Sequence, residues 1–267
     1  MQCLYPKRVD LPQATVVPCG KCLVCRENRI RDWYVRLVSE LSFCDYHYTL
    51  TLTYDDDHVP EGANLKVRDV QLFFKRLRKR DTCVKYMYYY AGEYGELGGR
   101  PHYHAVVFCY TAKVLKEPPK IRKYIIDSWY YGRVHIDSVK CQSIRYTLDY
   151  LQKDYFRWKG KKEVEPFQRM SNGIGFNYLL KNKSKLIANA YISIKGIKYR
   201  IPKYYRKRVP ALNVRLNDLA SDRREASDGS EDEMYLNWRD EFYGTVDRAK
   251  QVERQIKQRK RIKRGSL

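Results

Sequence analysis

The sequence predicts an α+β fold, and three observations carry that prediction. Residues 46–54 alternate, with Tyr48, Leu50 and Leu52 set against Thr49, Thr51 and Thr53, the period of a half-buried strand. Residues 67–80 instead place Val70, Phe73, Phe74 and Leu77 at helical spacing, with Lys75, Arg76, Arg78, Lys79 and Arg80 toward the other side. Two further strand patterns, 84–92 and 101–108, flank a glycine-rich stretch over 95–99 that reads as a hairpin, so their pairing is antiparallel.

Length and charge narrow the class. A chain of 267 residues can bury one full core with a small module or tails to spare. Its net charge of +22, from 53 Lys+Arg against 31 Asp+Glu, exceeds what solubility needs and points to a polyanionic partner. No apolar run approaches the roughly 20 residues of a membrane span, and no signal-peptide pattern opens the sequence. Nucleic acid is therefore the expected partner, with no membrane role and a cytoplasmic setting. The 25 tyrosines suit stacking on unpaired bases between phosphate contacts, although most such rings fill a core. No phosphate loop of the Gly-x-x-x-x-Gly-Lys-Ser/Thr type occurs, which argues against an ATP motor.

In chain order, residues 1–26 read as an irregular arm broken by Pro6, Pro12, Pro18 and Gly20. Cys3, Cys19, Cys22 and Cys25 could supply the four thiolates of a structural Zn²⁺ site, with an iron–sulfur cluster or free thiols left open. Cys44, Cys83, Cys109 and Cys141 are scattered singly and read as small buried hydrophobes in a reducing compartment. Residues 26–40 are helical in pattern through Ile30, Trp33 and Leu37. A short helix over 121–130 and a strand over 133–139 follow, with the isolated His135 read as a packing residue.

Residues 143–158 form a helix that turns Ile144, Leu148 and Leu151 to the core and carries Tyr146, Tyr150 and Lys153 at one-turn spacing. The stretch 197–208 reads as an extended arm whose rings and cations, including Tyr204, Tyr205 and Arg206, could meet DNA together with Arg76 and Arg100. Residues 218–233 are acidic and read as a linker, and 234–267 as a helical tail ending in the basic run 257–264.

The chemistry centres on Pro101-His102-Tyr103-His104. Alternate residues of a strand share a face, so both imidazoles point the same way, and the hairpin returns Glu93 or Glu96 beside them. Two imidazoles and a carboxylate leave coordination positions open for a substrate oxygen and suit Mn²⁺ or Mg²⁺. With a phenol and an ammonium on a later helix, the set fits metal-assisted attack on a phosphodiester. Tyr150 would attack phosphorus, and Lys153 would balance the charge of a phenol whose ordinary pKa is about 10.

These residues resemble a known family. His102-Tyr103-His104 resembles the His-hydrophobic-His motif of HUH endonucleases, Tyr150-Leu151-Gln152-Lys153 their Tyr-x-x-Lys motif, and Tyr48–Tyr54 the first motif of rolling-circle initiators. Tyr146-x-x-x-Tyr150 resembles the two-tyrosine arrangement within that superfamily. Pro18-Cys19-Gly20-Lys21-Cys22 through Cys25-Arg26, Phe74-Lys75-Arg76-Leu77, Gly92-Glu93-Tyr94-Gly95 and Phe167-Gln168-Arg169-Met170-Ser171 are similar to the replication initiators of gokushovirus-type microviruses.

The resemblance implies an antiparallel sheet of about five strands with flanking helices, the histidines on a central strand and the tyrosine helix across it. It implies a rolling-circle initiator that nicks single-stranded DNA at the viral origin, keeps the 5′ phosphate on tyrosine, frees a 3′ hydroxyl and later rejoins the ends. His102, His104 and Glu93 would be the metal ligands, and host helicase and polymerase the partners, in the cytoplasm of a bacterial host. The expected organisation is a cysteine-rich arm over 1–26, a nicking domain over 27–210, an acidic linker over 211–233 and a basic tail over 234–267. A non-catalytic single-stranded DNA-binding or packaging protein, or a relaxase or transposase of the same superfamily, is the alternative.

Overall fold

The computed structural model describes residues 3–9, 15–95, 98–111, 120–158 and 162–226. It divides into two compact units, residues 1–31 with 206–267, and residues 32–205. In order, the elements are β1 (Lys7–Val9), β2 (Thr15–Val17), α1 (Leu23–Glu40), β3 (Tyr46–Tyr54), α2 (Val67–Arg80), β4 (Val84–Tyr94), β5 (Pro101–Thr111), α3 (Ile121–Ile126) and β6 (Gly132–Ser138). There follow α4 (Cys141–Trp158), β7 (Phe167–Met170), α5 (Phe176–Asn189), β8 (Tyr191–Ile194), β9 (Ile197–Arg200), α6 (Lys203–Arg208) and α7 (Pro210–Ala226).

The larger unit is an α+β fold on a five-stranded antiparallel sheet of order β6-β3-β5-β4-β7, so β5, with its two histidines, is central. The strand period sorts residues onto two faces. Leu50, Leu52 and Tyr54 of β3, Tyr86 and Tyr90 of β4, and Tyr103, Ala105 and Val107 of β5 form one face, closed by Val70, Phe73, Phe74 and Leu77 of α2 and Ile121 and Ile125 of α3. Phe74 stacks on Tyr88 at 3.8 Å between ring centroids, a close aromatic packing that seats α2 on β4. Buried phenols there are satisfied: Tyr54 donates to Asp69 at 2.7 Å, and the Tyr103 hydroxyl accepts from the Lys66 backbone N–H at 2.8 Å. Most tyrosines with a fixed place are thus core residues.

The opposite face meets α4, which lies across β4 and β5. Trp33 of α1 packs on Tyr89 at 5.4 Å, and the buried Glu40 accepts from Tyr110 Oη and the Gly175 N–H. Gly95 and Gly99 close the β4–β5 hairpin, with Gly95 N–H donating to Arg100 O at 2.9 Å and Gly99 at φ 61°.

Several expectations are corrected. Residues 203–208 are helical rather than extended, and Tyr205 is fully buried (0 % exposed) with its ring 6.4 Å from that of Tyr178. Of Cys44, Cys83, Cys109 and Cys141, Cys109 is buried, Cys83 is exposed and the other two are half-buried. In the smaller unit the arm is not wholly irregular, because β1 and β2 pair antiparallel. Residues 210–226, the start of the stretch read as a linker, form α7 with Leu212 buried. The tail over 234–267 lies outside the described residues. Among the described residues no helix is long and apolar enough to cross a membrane.

Candidate metal centre and cleft

Register builds the centre. Glu93 pairs with His102 across the β4–β5 ladder, and His104 lies two residues on, so alternation puts all three side chains on the face away from α2. The Nε2 atoms of His102 and His104 lie 2.5 and 2.8 Å from the same Glu93 oxygen, Oε1. The second oxygen, Oε2, is buried and has no hydrogen-bond partner among the described residues. Burial by itself would raise the Glu93 carboxyl, but the hydrogen bonds from His102 and His104 outweigh it and hold the pKa below the ordinary glutamate value.

The outer nitrogens are fixed as well. His102 Nδ1 lies 3.2 Å from Arg100 O, and His104 Nδ1 lies 3.2 Å from Thr51 Oγ1 on the neighbouring strand. A carbonyl can only accept, so His102 carries its proton on Nδ1, which is the arrangement that frees Nε2 as a ligand. Two imidazole nitrogens and an ionised carboxylate oxygen then converge with lone pairs facing inward, and a cation resolves that repulsion. The three ligand atoms lie within 4.8 Å of one another, a span that fits one divalent ion with open positions. Glu96 lies outside the described residues.

A cleft of about 560 Å³ opens beside this centre between the sheet and α4, lined by Thr49, Thr51, His104, His135, Asp137 and Tyr146 among others. The Tyr146 ring sits 6.1 Å from that of His104 and is 54 % exposed, so a phenol reaches the space next to the histidines. Ile144 and Leu148 on the buried side of α4 fix its rotation. Tyr150 follows Tyr146 by one helical turn in α4. The side chains of Tyr150 and Lys153 lie outside the described residues.

Other residues fall differently. His135 is not a packing residue: its side chain is 73 % exposed and paired with Asp137 at 2.7 Å on the cleft wall. Arg100 donates to Tyr54 O at 2.9 Å and pairs with Asp56, strapping the start of β5 to the turn after β3. Arg76 sits on the α2 side of the sheet, where it donates to Ser128 O at 2.8 Å and lies over the Tyr130 ring at 4.3 Å. Tyr204 lies under the Arg36 guanidinium at 3.8 Å, and the Arg206 carbonyl accepts from Asn213 at 3.2 Å. Thr51, His135 and Asp137 escaped the sequence reading. The strand period around Leu50 and Ile136 was the signal that places them on the histidine face.

Comparison with known proteins agrees with this site. The family model for Replication-associated protein ORF2 matches residues 47–155, from β3 into α4. Replication-associated protein ORF2 of Spiroplasma virus 4 is 31 % identical over 219 residues, which cover 72 % of this chain and 67 % of that protein. The chain belongs to the phage replication-associated protein family. Other members similar to it are Replication-associated protein VP4 of Bdellovibrio phage phiMH2K, 28 % identical over 70 % of this chain, and Replication-associated protein ORF4 of Chlamydia phage 1, 29 % identical over 71 %. The matches span 65 % and 52 % of the lengths of those two relatives. No solved structure matches the chain. Within the family match lie the two histidines, Glu93 and both tyrosines of α4.

Proposed function

We propose that this protein initiates rolling-circle replication of a phage genome by nicking and rejoining single-stranded DNA at the origin. The observation that carries the reading is the convergence of His102, His104 and Glu93 beside the phenol-bearing helix α4. A divalent ion held by these three, Mn²⁺ or Mg²⁺, supplies Lewis-acid polarisation of a non-bridging phosphate oxygen. The cleft seats the strand, and its floor of Thr49 and Thr51 leaves room for the sugar–phosphate backbone.

Tyr150, with Tyr146 as second nucleophile, attacks phosphorus as its phenol proton is lost to solvent. The bond to the 3′ oxygen breaks, that oxygen takes up a proton, and the 5′ phosphate stays on tyrosine. Lys153, three residues beyond Tyr150, lowers the cost of the developing phenolate. The phosphotyrosine conserves the energy of the broken bond, so a later attack by a 3′ hydroxyl closes the strand without ATP. Two tyrosines one turn apart let one hold the first end while the other makes the second cut. The net charge of +22 favours the polyanionic substrate.

Circular single-stranded DNA carrying the phage's own origin, incubated with protein and Mn²⁺ or Mg²⁺, should give a denaturant-resistant protein–DNA adduct that Tyr150→Phe removes. An unchanged adduct in that variant moves the first attack to Tyr146. No adduct with any divalent ion rejects the reading in favour of a non-catalytic DNA-binding protein.

A further inference from the structure

We infer that Cys3, Cys19, Cys22 and Cys25 form a second, structural metal site that takes one Zn²⁺ as a four-thiolate tetrahedron. The four Sγ atoms lie within 4.8 Å of one another, and all four cysteines are free thiols. Cys3 and Cys22 Sγ are 3.9 Å apart. A tetrahedron with Zn–S of about 2.3 Å has an S···S edge of about 3.8 Å, whereas a disulfide needs about 2.05 Å.

The backbone around the thiols is arranged for anions. Cys19 Sγ accepts from the N–H groups of Lys21 at 3.5 Å and Cys22 at 3.4 Å, and Cys3 Sγ accepts from the Cys19 N–H at 3.2 Å. Such N–H···S contacts favour thiolates, the form that ligates zinc. The turn that aims those amides runs through Gly20 at φ 72°, a left-handed conformation that costs glycine nothing. Cys22 and Cys25 enter the first turn of α1, whose N-terminal dipole adds to the stabilisation of negative charge.

The charge of the loaded site is also answered. Four thiolates and one Zn²⁺ sum to −2. Arg26 donates through Nε to Lys21 O at 2.9 Å and Arg29 through Nη2 to Gly20 O at 3.3 Å, which holds two guanidiniums against the turn. The local apolar cluster consists of Cys22, Val24 and Cys25 with Cys3, Leu4 and Cys19 packed on it, so little besides the thiols holds the arm together. A metal is the staple such a small unit needs.

The inference stands apart from the nicking reading, since the adduct assay can fail with the zinc in place. Full-chain protein purified without chelator should contain one zinc per chain by elemental analysis, and His102→Ala/His104→Ala should retain it. Cys22→Ser/Cys25→Ser should lose it. Co²⁺ exchanged into the native protein should give thiolate-to-cobalt charge-transfer and tetrahedral d–d bands. Should the serine variant fail to fold, alkylation of the native protein decides: Cys83 should react at once and the four arm cysteines only after a zinc chelator is added. Zinc absent from the native protein, iron with inorganic sulfide in its place, or arm thiols that react before chelation would each overturn the assignment.

Discussion

The two faces of the five-stranded sheet are made from the same strands and differ by one residue of phase. On the α2 face the residues are aliphatic and aromatic and closed off from water. On the α4 face the same strands present Thr49, Thr51, His102, His104, His135, Asp137 and the buried Glu93, bordering a cleft. Stability and chemistry are therefore sorted by parity along each strand, and whether a substitution costs folding or activity can be read from the face on which it falls.

The sharpest way to break this division is to change a ligand. Glu93→Gln or His104→Ala should lower metal affinity by calorimetry, and nicking with it, by more than the roughly 10–100-fold typical of outer-shell changes. Either variant should keep its melting temperature within about 4 °C of the native protein, the shift that about 1 kcal/mol makes in a domain of this size. A collapse of stability would mean that the polar face also holds the fold.

The converse change is Phe73→Ala, which empties a fully buried site under the sheet. It should cost about 3–5 kcal/mol in denaturant unfolding and leave the nicking rate per folded molecule unchanged. A smaller effect is expected for Thr51→Val, which removes the hydroxyl at His104 Nδ1 while keeping the shape. Metal affinity should fall about 10–100-fold, with unfolding little altered. The smallest concerns Arg76→Ala on the α2 face: the salt dependence of DNA binding should keep its slope, because no phosphate contact is lost. A slope reduced by about one would place DNA on both faces.

Much of this division was legible in the sequence. The strand 46–54 and the helix 67–80 were readable to their ends because each buries one face and wets the other, which imprints the period on the residue order. The metal ligands were legible because a tight hairpin fixes the register between neighbouring strands, leaving little freedom in what lies opposite His102.

What was not legible depends on partners distant in sequence. His135 joins the cleft because β6 pairs with β3, a pairing that local pattern does not reveal. Tyr205 looked like a stacking ring by composition, yet Tyr178, 27 positions earlier in the numbering of the chain, shares its buried site. The four-residue β7 is too short to show any period, and its assignment rests on the edge of β4 that it completes.

The register of the central strands has one further consequence. Because an eleven-residue ladder between β4 and β5 already brings Glu93, His102 and His104 together, the cage is preorganised, and ion binding there pays little ordering entropy. Stripping the ion should leave a folded protein that reloads reversibly, so the identity of the metal in use follows from which ion the surrounding medium offers. The catalytic centre is in that sense an exchangeable socket, open to replacement between one turnover and the next.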